Sequence, residues 1–130
     1  MKTILCVDDD QDILDTFSII LASEGYKVEC LIDPSDIFRV IEGCKPALIF
    51  MDINMEGVNG LEVCRALGSN ANTLDIPVII VSSDPRIDSA INDYGATDIL
   101  LKPFTIKELL DTVDYYLGSR IISLFPEEKL

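Results

Sequence analysis

The 130-residue chain contains no histidine, so no imidazole can act as a base, a metal ligand or a phosphate carrier. Basic residues are few, 10 against 23 acidic ones, and the net charge is −13. A surface this acidic repels phosphate backbones and anionic lipids, so we expect this chain alone to bind neither nucleic acid nor membrane. No apolar run approaches the roughly 20 residues that a membrane-spanning helix needs.

The four cysteines are scattered, and their spacing matches neither a metal knuckle nor a redox pair. Buried, reduced thiols are the simpler interpretation, and they suit a cytoplasmic protein. The N-terminus runs directly into a strand pattern, which predicts that there is no signal peptide. The length and an apolar fraction of 48% suit one globular domain.

Apolar runs and helical patterns alternate five times along the chain. The first helical stripe stops at Gly25, Asp33 and Asp84 each precede a proline at a predicted helix start, and Thr105 opens a capping box. Strict alternation of strand and helix predicts an α/β domain, with a parallel sheet covered by helices on both faces. The mixed composition of residues 28–31 predicts an edge strand.

The alternating pattern predicts one domain over residues 1–118. Residues 119–130 form a predicted tail that begins with an apolar stretch and ends with acidic residues. We expect this tail to continue the last helix and to pack against the body of the domain. A linker to a further domain is the alternative.

Five polar residues each follow an apolar run, at the point where a strand is predicted to end: Asp8, Asp9, Asp52, Ser82 and Lys102. Functional groups of open parallel sheets collect at the carboxyl edge of the strands. Each residue alone is equally well explained as a loop or surface residue. Their joint occurrence at the ends of four strands favours one site, and its carboxylates, hydroxyl and ammonium suit a divalent cation and a phosphoryl group.

Asp52 is anchored by a strand and precedes a glycine-containing loop, so its carboxylate can attack phosphorus and form an acyl phosphate. Asp9 and Asp52 can hold Mg²⁺, with Asp8 beside it or bound through water. The backbone carbonyl of Asn54 is a further candidate ligand. Asp10, the third acid of the run, is expected to cap the first helix.

The remaining two residues supply the other contacts that a phosphoryl group needs. Lys102 brings a second positive charge as a mobile donor. Ser82 can donate a hydrogen bond from its hydroxyl to a phosphoryl oxygen. Catalysis would then consist mostly of positioning and charge neutralisation.

Segments of the chain resemble the receiver domain of two-component response regulators, namely residues 4–10, 51–55, 77–83, 95–98 and 102–104. The resemblance covers roughly residues 3–118, and its motifs are specific in their combination, order and spacing. It implies a flavodoxin-like (βα)5 doubly wound parallel sheet with strand order 2-1-3-4-5. It also implies a phosphorelay function, in which Asp52 accepts a phosphoryl group from a histidine kinase or a histidine phosphotransfer protein.

The same resemblance assigns roles to the strand-end residues. Asp8 and Asp9 become the acidic metal pair for Mg²⁺, with Mn²⁺ as an alternative. Ser82 becomes the hydroxyl switch, and Lys102 becomes the phosphate-sensing lysine, followed by a cis bond to Pro103. The chain would then be a signalling domain that assists its own phosphorylation and dephosphorylation, rather than an enzyme.

The resemblance also implies an output surface, formed by the fourth helix, the last strand and the last helix. Phosphorylation would switch this surface for a protein partner, and a homodimer through it is a further expectation. Two positions depart from the family pattern. Ile99 stands where an aromatic residue is usual, which predicts a switch without an aromatic partner. Glu56 stands where proline is usual, which predicts a looser and more acidic loop.

Other classes of protein remain alternatives. A haloacid-dehalogenase-like phosphatase would use Asp8 as the nucleophile and Asp10 as its partner, but the chain is short and lacks a late acidic pair. A flavodoxin-like FMN protein needs a phosphate loop rich in Ser, Thr and Gly, where this chain has three carboxylates. A receiver fold used only as a phosphate-blind interaction domain is the third alternative, and the intact set of acceptor, acids, hydroxyl and lysine argues against it.

Overall fold

The computed structural model describes residues 1–87 and 89–118; the predicted tail, residues 119–130, and Asp88 lie outside the described residues. Strands and helices alternate along the described chain. In order, the elements are β1 (Thr3–Val7), α1 (Gln11–Ser23), β2 (Lys27–Leu31), a 3-10 turn (Pro34–Asp36), α2 (Ile37–Cys44), β3 (Leu48–Asp52), β4 (Asn54–Met55), β5 (Val58–Asn59), α3 (Gly60–Gly68), β6 (Val78–Ser82), α4 (Ser89–Tyr94), β7 (Asp98–Leu101) and α5 (Ile106–Leu117).

Within the described residues, five strands form one parallel sheet in the order β2-β1-β3-β6-β7. Counted by the strands of this sheet alone, the order is 2-1-3-4-5, so the predicted flavodoxin-like fold is confirmed. Strands β1, β3 and β6 are buried at every position, because helices cover both of their faces. Strand β2 is partly exposed at one edge of the sheet, as its mixed composition predicted.

Successive residues of the central strands point to opposite faces, so the sheet divides the core into two layers. Leu5, Ile49 and Ile80 pack in the layer that contains α2, α3 and α4. The layer with α1 and α5 contains Phe17, whose ring centroid lies 5.1 Å from that of Phe50. Each fully buried aliphatic or aromatic side chain contributes roughly 1.5–3 kcal/mol, and this packing holds the strand ends in fixed positions.

Side chains cap the helices that border the carboxyl edge of the sheet. Asp10 accepts the Asp12 N–H and begins α1, as predicted. Thr105 and Glu108 form the predicted capping box of α5, each accepting the other's backbone N–H. These caps satisfy backbone donors that have no partner inside the helix.

Two local expectations differ from the structure. Asp84 was expected to begin a helix with the following proline, but its carboxylate accepts the Arg86 N–H in a turn, and α4 is described from Ser89. A looser loop was expected around Glu56, but residues 54–59 form the small antiparallel hairpin β4–β5. Gly57 has a φ of +71° at the turn of this hairpin, a conformation that glycine adopts without steric cost. Among the helices of residues 1–87 and 89–118, none is long and apolar enough to cross a membrane.

Candidate functional site at the carboxyl edge of the sheet

The sheet brings the predicted strand-end residues to one edge. Asp8 follows β1, Asp52 ends β3, Ser82 ends β6 and Lys102 follows β7. The strands are parallel and adjacent, and Asp52 is in register with Val81, one residue before Ser82. Strand ends that are far apart in sequence therefore share one edge of the sheet.

Asp8, Asp9 and Asp52 form a cluster of carboxylates. One ligand atom from each of these residues lies within 4.8 Å of the others. Asp8 and Asp52 are buried, with 3% and 8% of their surface exposed, whereas Asp9 is exposed. Asp8 Oδ1 accepts the Asp10 N–H at 2.9 Å, so a backbone donor at the start of α1 fixes the orientation of this carboxylate.

The Lys102 ammonium lies between two of these carboxylates. Its Nζ is 3.0 Å from Asp52 Oδ1 and 3.4 Å from Asp8 Oδ2. The Lys102 backbone N–H donates to the Ser82 carbonyl at 2.8 Å, and the Lys102–Pro103 bond is cis, as the resemblance implied. One ammonium among three carboxylates leaves an excess of negative charge at the edge.

The environment shifts the pKa of both partners of this ion pair. Burial raises the pKa of Asp52, and the negative charge of Asp8 raises it further. These two effects outweigh the hydrogen bond from Lys102, which lowers this pKa. Burial works against the charged form of Lys102, but the hydrogen bond and charge of Asp52, with the charge of Asp8, raise its pKa. Lys102 therefore carries its positive charge at neutral pH.

Ser82 lies at the site, but its hydroxyl is occupied locally. The residue is buried, and its Oγ accepts the Asp84 N–H at 3.0 Å. Its described link to Lys102 runs through the backbone. The structure thus brings together the three acids and Lys102 by their side chains, and Ser82 by its position beside them.

The acidic cluster fits a hard divalent cation. Mg²⁺ and Mn²⁺ prefer oxygen ligands, and Asp8, Asp9 and Asp52 offer three carboxylates at close range with uncompensated negative charge. Asn54 lies two residues beyond Asp52, at the start of β4. Its backbone carbonyl as a ligand stays a prediction.

Two further residues support the site, Glu56 in the turn of the hairpin and Gly60 at the start of α3, and neither role was predicted from the sequence. The Glu56 N–H donates to Asp9 Oδ2 at 2.9 Å. A Cβ added to Gly60 would lie 1.9 Å from the Asp52 carbonyl oxygen, so only glycine allows this approach of backbone to backbone. The Asn59-Gly60 dipeptide is a turn signal, but it does not reveal which atom the glycine contacts.

Comparison with known proteins identifies relatives over most of the chain. Residues 4–114 match the family model for the response regulator receiver domain. The DNA-binding dual master transcriptional regulator RpaA of Synechocystis is 36% identical over 115 residues, which are 87% of this chain and 48% of that protein. Protein RcaC of Microchaete diplosiphon is 33% identical over 112 residues, 85% of this chain and 17% of that protein. The chain thus spans about half or less of the length of these relatives.

Solved structures with the same fold include signalling proteins from several bacteria. Chemotaxis protein CheY4 of Vibrio cholerae has a TM-score of 0.82 and 27% identity, covering 89% of this chain and 98% of that one. The NtrX receiver domain of Brucella abortus has a TM-score of 0.79 and 30% identity, covering 90% and 99%. The receiver domain of sensor histidine kinase PA1611 of Pseudomonas aeruginosa, with magnesium coordinated in its active site cleft, has a TM-score of 0.80 and 25% identity, covering 91% and 98%.

These matches agree with the fold and with the cluster of carboxylates at the sheet edge. The family of the chain follows from two of these matches. The family model spans residues 4–114, and one relative is 36% identical over 87% of the chain. The chain belongs to the response regulator receiver domains, the signalling domains of two-component systems.

Proposed function

We propose that this domain accepts a phosphoryl group on Asp52 from a phosphohistidine of a histidine kinase or a histidine phosphotransfer protein. The reaction depends on Mg²⁺, with Mn²⁺ as an alternative, and it switches a surface that binds a protein partner. The observation that carries this proposal is the position of the buried Asp52 carboxylate, 3.0 Å from Lys102 Nζ and clustered with Asp8 and Asp9.

Asp52 is the nucleophile in this reaction. One of its carboxylate oxygens bonds to phosphorus while the bond between phosphorus and the donor's imidazole nitrogen breaks, and the imidazole leaves with that electron pair. Asp52 is poorly hydrated because it is buried, so little water must be removed before the attack. The start of α3 holds the Asp52 backbone in place through the close approach of Gly60.

Positive charge is needed because both the nucleophile and the phosphoryl group are anionic. Asp8, Asp9 and Asp52 would hold the divalent cation, which neutralises charge on the phosphoryl oxygens when bound. Lys102 is already charged beside Asp52, and its flexible side chain can pair with a phosphoryl oxygen. The Ser82 Oγ accepts the Asp84 N–H at 3.0 Å and donates to the Asp84 carbonyl at 3.5 Å. The second bond is long, so the hydroxyl hydrogen can turn from it toward a phosphoryl oxygen.

The surface formed by α4, β7 and α5 is the proposed output surface. The exposed large hydrophobic residues on these three elements include Ile91, Leu101 and Ile106. Exposed apolar groups on adjacent elements support binding of a protein partner, including a second copy of this chain. Sedimentation velocity with and without a phosphoryl mimic tests the homodimer: phosphorylation-dependent dimers support it, and a monomer in both states contradicts it.

The receiver domain is proposed to extend over residues 1–118. Helix α5 ends at Leu117, and Gly118 follows with a left-handed φ of +56°. Such a glycine is a common end of a helix. The predicted tail, residues 119–130, lies outside the described residues.

Phosphorylation with a small acyl phosphate and Mg²⁺ tests the acceptor. We expect the intact mass to increase by one phosphoryl group, and the substitution Asp52→Asn to prevent this. Asp75→Asn is the matched control, because Asp75 is an exposed acid outside the cluster. Undiminished labelling of the Asp52→Asn variant would contradict the assignment.

Labelling of Asp8 instead would favour the phosphatase alternative. In such an enzyme Asp10 would assist Asp8, but here the Asp10 carboxylate is used to cap α1. The role of the cation is tested separately. Mg²⁺ should raise the melting temperature by binding the folded state, and excess chelator should abolish labelling. Full labelling in chelator would contradict the metal dependence.

A further inference from the structure

A backbone donor from the β4–β5 hairpin holds one acid of the cluster. The Glu56 N–H lies 2.9 Å from Asp9 Oδ2, although the two residues are 47 positions apart. Asp8 is held by the Asp10 N–H, and Asp52 is held by Lys102. Each carboxylate of the cluster therefore has its own described partner, and the partner of Asp9 comes from the hairpin.

Asp9 is the acid of the cluster that most needs such a partner. It is exposed, whereas Asp8 and Asp52 are buried and held by the packing around them. An exposed aspartate without a fixed donor occupies several rotamers, and each binding event must then select one of them. A hydrogen bond to a ligating carboxylate removes this cost, and loss of such partners typically lowers metal affinity 10- to 100-fold.

We propose that the Glu56 amide is a positioning group for Asp9. Its N–H holds the Asp9 carboxylate toward Asp8 and Asp52 and thereby increases the affinity of the cluster for a divalent cation. One oxygen of Asp9 accepts the amide, and the other remains available as a ligand. This inference rests on the proposed function, in which the cluster holds the cation.

The hairpin allows the amide to be removed without removing the turn. Glu56 and Gly57 lie between the paired residues Met55 and Val58. Gly57 has a positive φ, as the second central residue of a type II turn requires, and such turns accept proline at the first central position. Met55 is in an extended strand, the conformation that a residue before proline prefers.

Two substitutions at this position therefore distinguish the effect of the backbone N–H from the effect of the Glu56 side chain. Glu56→Pro removes the N–H donor and the carboxylate, whereas Glu56→Ala removes the carboxylate and keeps the donor. Proline is the residue that the family resemblance implies here. This chain thus has a donor to Asp9 that the usual family residue does not supply.

Calorimetric titration of the full chain with Mg²⁺, and separately with Mn²⁺, tests the proposal. We expect Glu56→Pro to bind at least about tenfold more weakly than Glu56→Ala, and Glu56→Ala to remain close to the wild type. Equal affinity of the two variants would overturn this inference and leave the proposed function intact. Absence of binding by the wild-type chain would overturn both.

Amide hydrogen exchange provides a second measurement that does not depend on the folding of the proline variant. The amide of Glu56 should exchange slowly in the wild type and rapidly in Asp9→Ala. The amides of β3 serve as the control, because they should remain protected in both proteins. Rapid exchange of the Glu56 amide in the wild type would overturn the inference. Melting curves without metal establish whether Glu56→Pro is folded.

Discussion

Lys102 and Asp52 form an ion pair between two strands that are not neighbours in the sheet, with Nζ 3.0 Å from Oδ1. Strand β6 lies between them, and its last residue, Ser82, accepts the Lys102 backbone N–H through its carbonyl. The position of the ammonium is therefore set by the register of β7 on β6. The charge balance of the site depends on how the whole sheet is assembled.

Lys102→Met should destabilise the metal-free domain by roughly 1–3 kcal/mol, because two buried carboxylates lose a charged hydrogen-bond donor. Mg²⁺ should then raise the melting temperature by more than it does in the wild type, since no ammonium competes for the carboxylates. Thermal melts with and without Mg²⁺ measure both effects. Lys107→Met is the control: that lysine pairs with Asp111 at the surface, and its loss should leave the stability close to that of the wild type. Equal metal shifts in wild type and Lys102→Met would contradict the prediction.

Asp52→Asn should stabilise the domain at neutral pH. Burial raises the pKa of Asp52 in the folded chain, so the folded state binds this proton more tightly than the unfolded state. The corresponding stability is present below the unfolded pKa and is lost as pH rises through the folded pKa. The ionised carboxylate therefore costs stability at pH 7, and the amide does not.

Urea unfolding over a pH series measures this effect. The advantage of Asp52→Asn over the wild type should be largest near neutrality and should disappear below about pH 4, where aspartates are ordinarily protonated. A variant less stable than the wild type at pH 7 would show that the Lys102 ion pair outweighs the cost of burial.

Gly60→Ala should displace the acceptor. The new methyl group would overlap the Asp52 carbonyl oxygen, so the backbone of β3 or α3 must shift. We expect a loss of roughly 1–3 kcal/mol in the free energy of unfolding and slower phosphorylation. Gly43→Ala is the matched control, because an added methyl group in α2 has open space and a better helix former gains up to about 1 kcal/mol. Unchanged labelling of Gly60→Ala would refute the prediction.

Substitutions of Ile99 and Ser82 should distinguish a residue that stabilises the core from one that transmits the phosphorylation signal. Ile99 is half-buried against the layer of α2, α3 and α4. Ile99→Ala should therefore lower the free energy of unfolding by about 1–2 kcal/mol, less than the roughly 2–5 kcal/mol of a fully buried isoleucine. Phosphorylation should remain intact. Ser82→Ala loses both hydrogen bonds with Asp84, at 3.0 and 3.5 Å, and should cost about 1 kcal/mol because the second bond is long. It should also weaken the coupling between phosphorylation and partner binding.

Partner binding by each phosphorylated variant, together with unfolding curves, distinguishes these effects. Structures with and without a phosphoryl mimic test the switch directly. A large change of rotamer at Ile99 with Ser82 stationary would contradict a switch that works through Ser82 and Lys102.

The sheet and the location of the site were predictable because each depends on a strong local signal. Four apolar strands either end in a polar residue or are followed by one, and parallel connection forces their ends to one edge. The caps at Asp10 and Thr105 were predictable for the same reason, since a cap is made within three or four residues.

The supporting contacts could not be predicted, because they join segments that carry no periodic pattern. Strands β4 and β5 have two residues each, too short for an alternation to be seen. The bond from Glu56 to Asp9 and the approach of Gly60 to Asp52 appear only when that hairpin is placed against β1 and β3. The Asp84 carboxylate accepts the Arg86 N–H, a bond that can begin either a helix or a turn, and the sequence does not distinguish these two outcomes.

The long sequence separation of the ion pair also bears on the lifetime of the native state. Lys102 meets Asp8 and Asp52 across 94 and 50 residues, so β1, β3 and β7 must all be paired before the contact exists. Interactions completed after the rate-limiting step of folding leave the folding rate unchanged and slow unfolding instead. If the ion pair is completed after that step, it contributes to how slowly the domain unfolds and not to how quickly it folds.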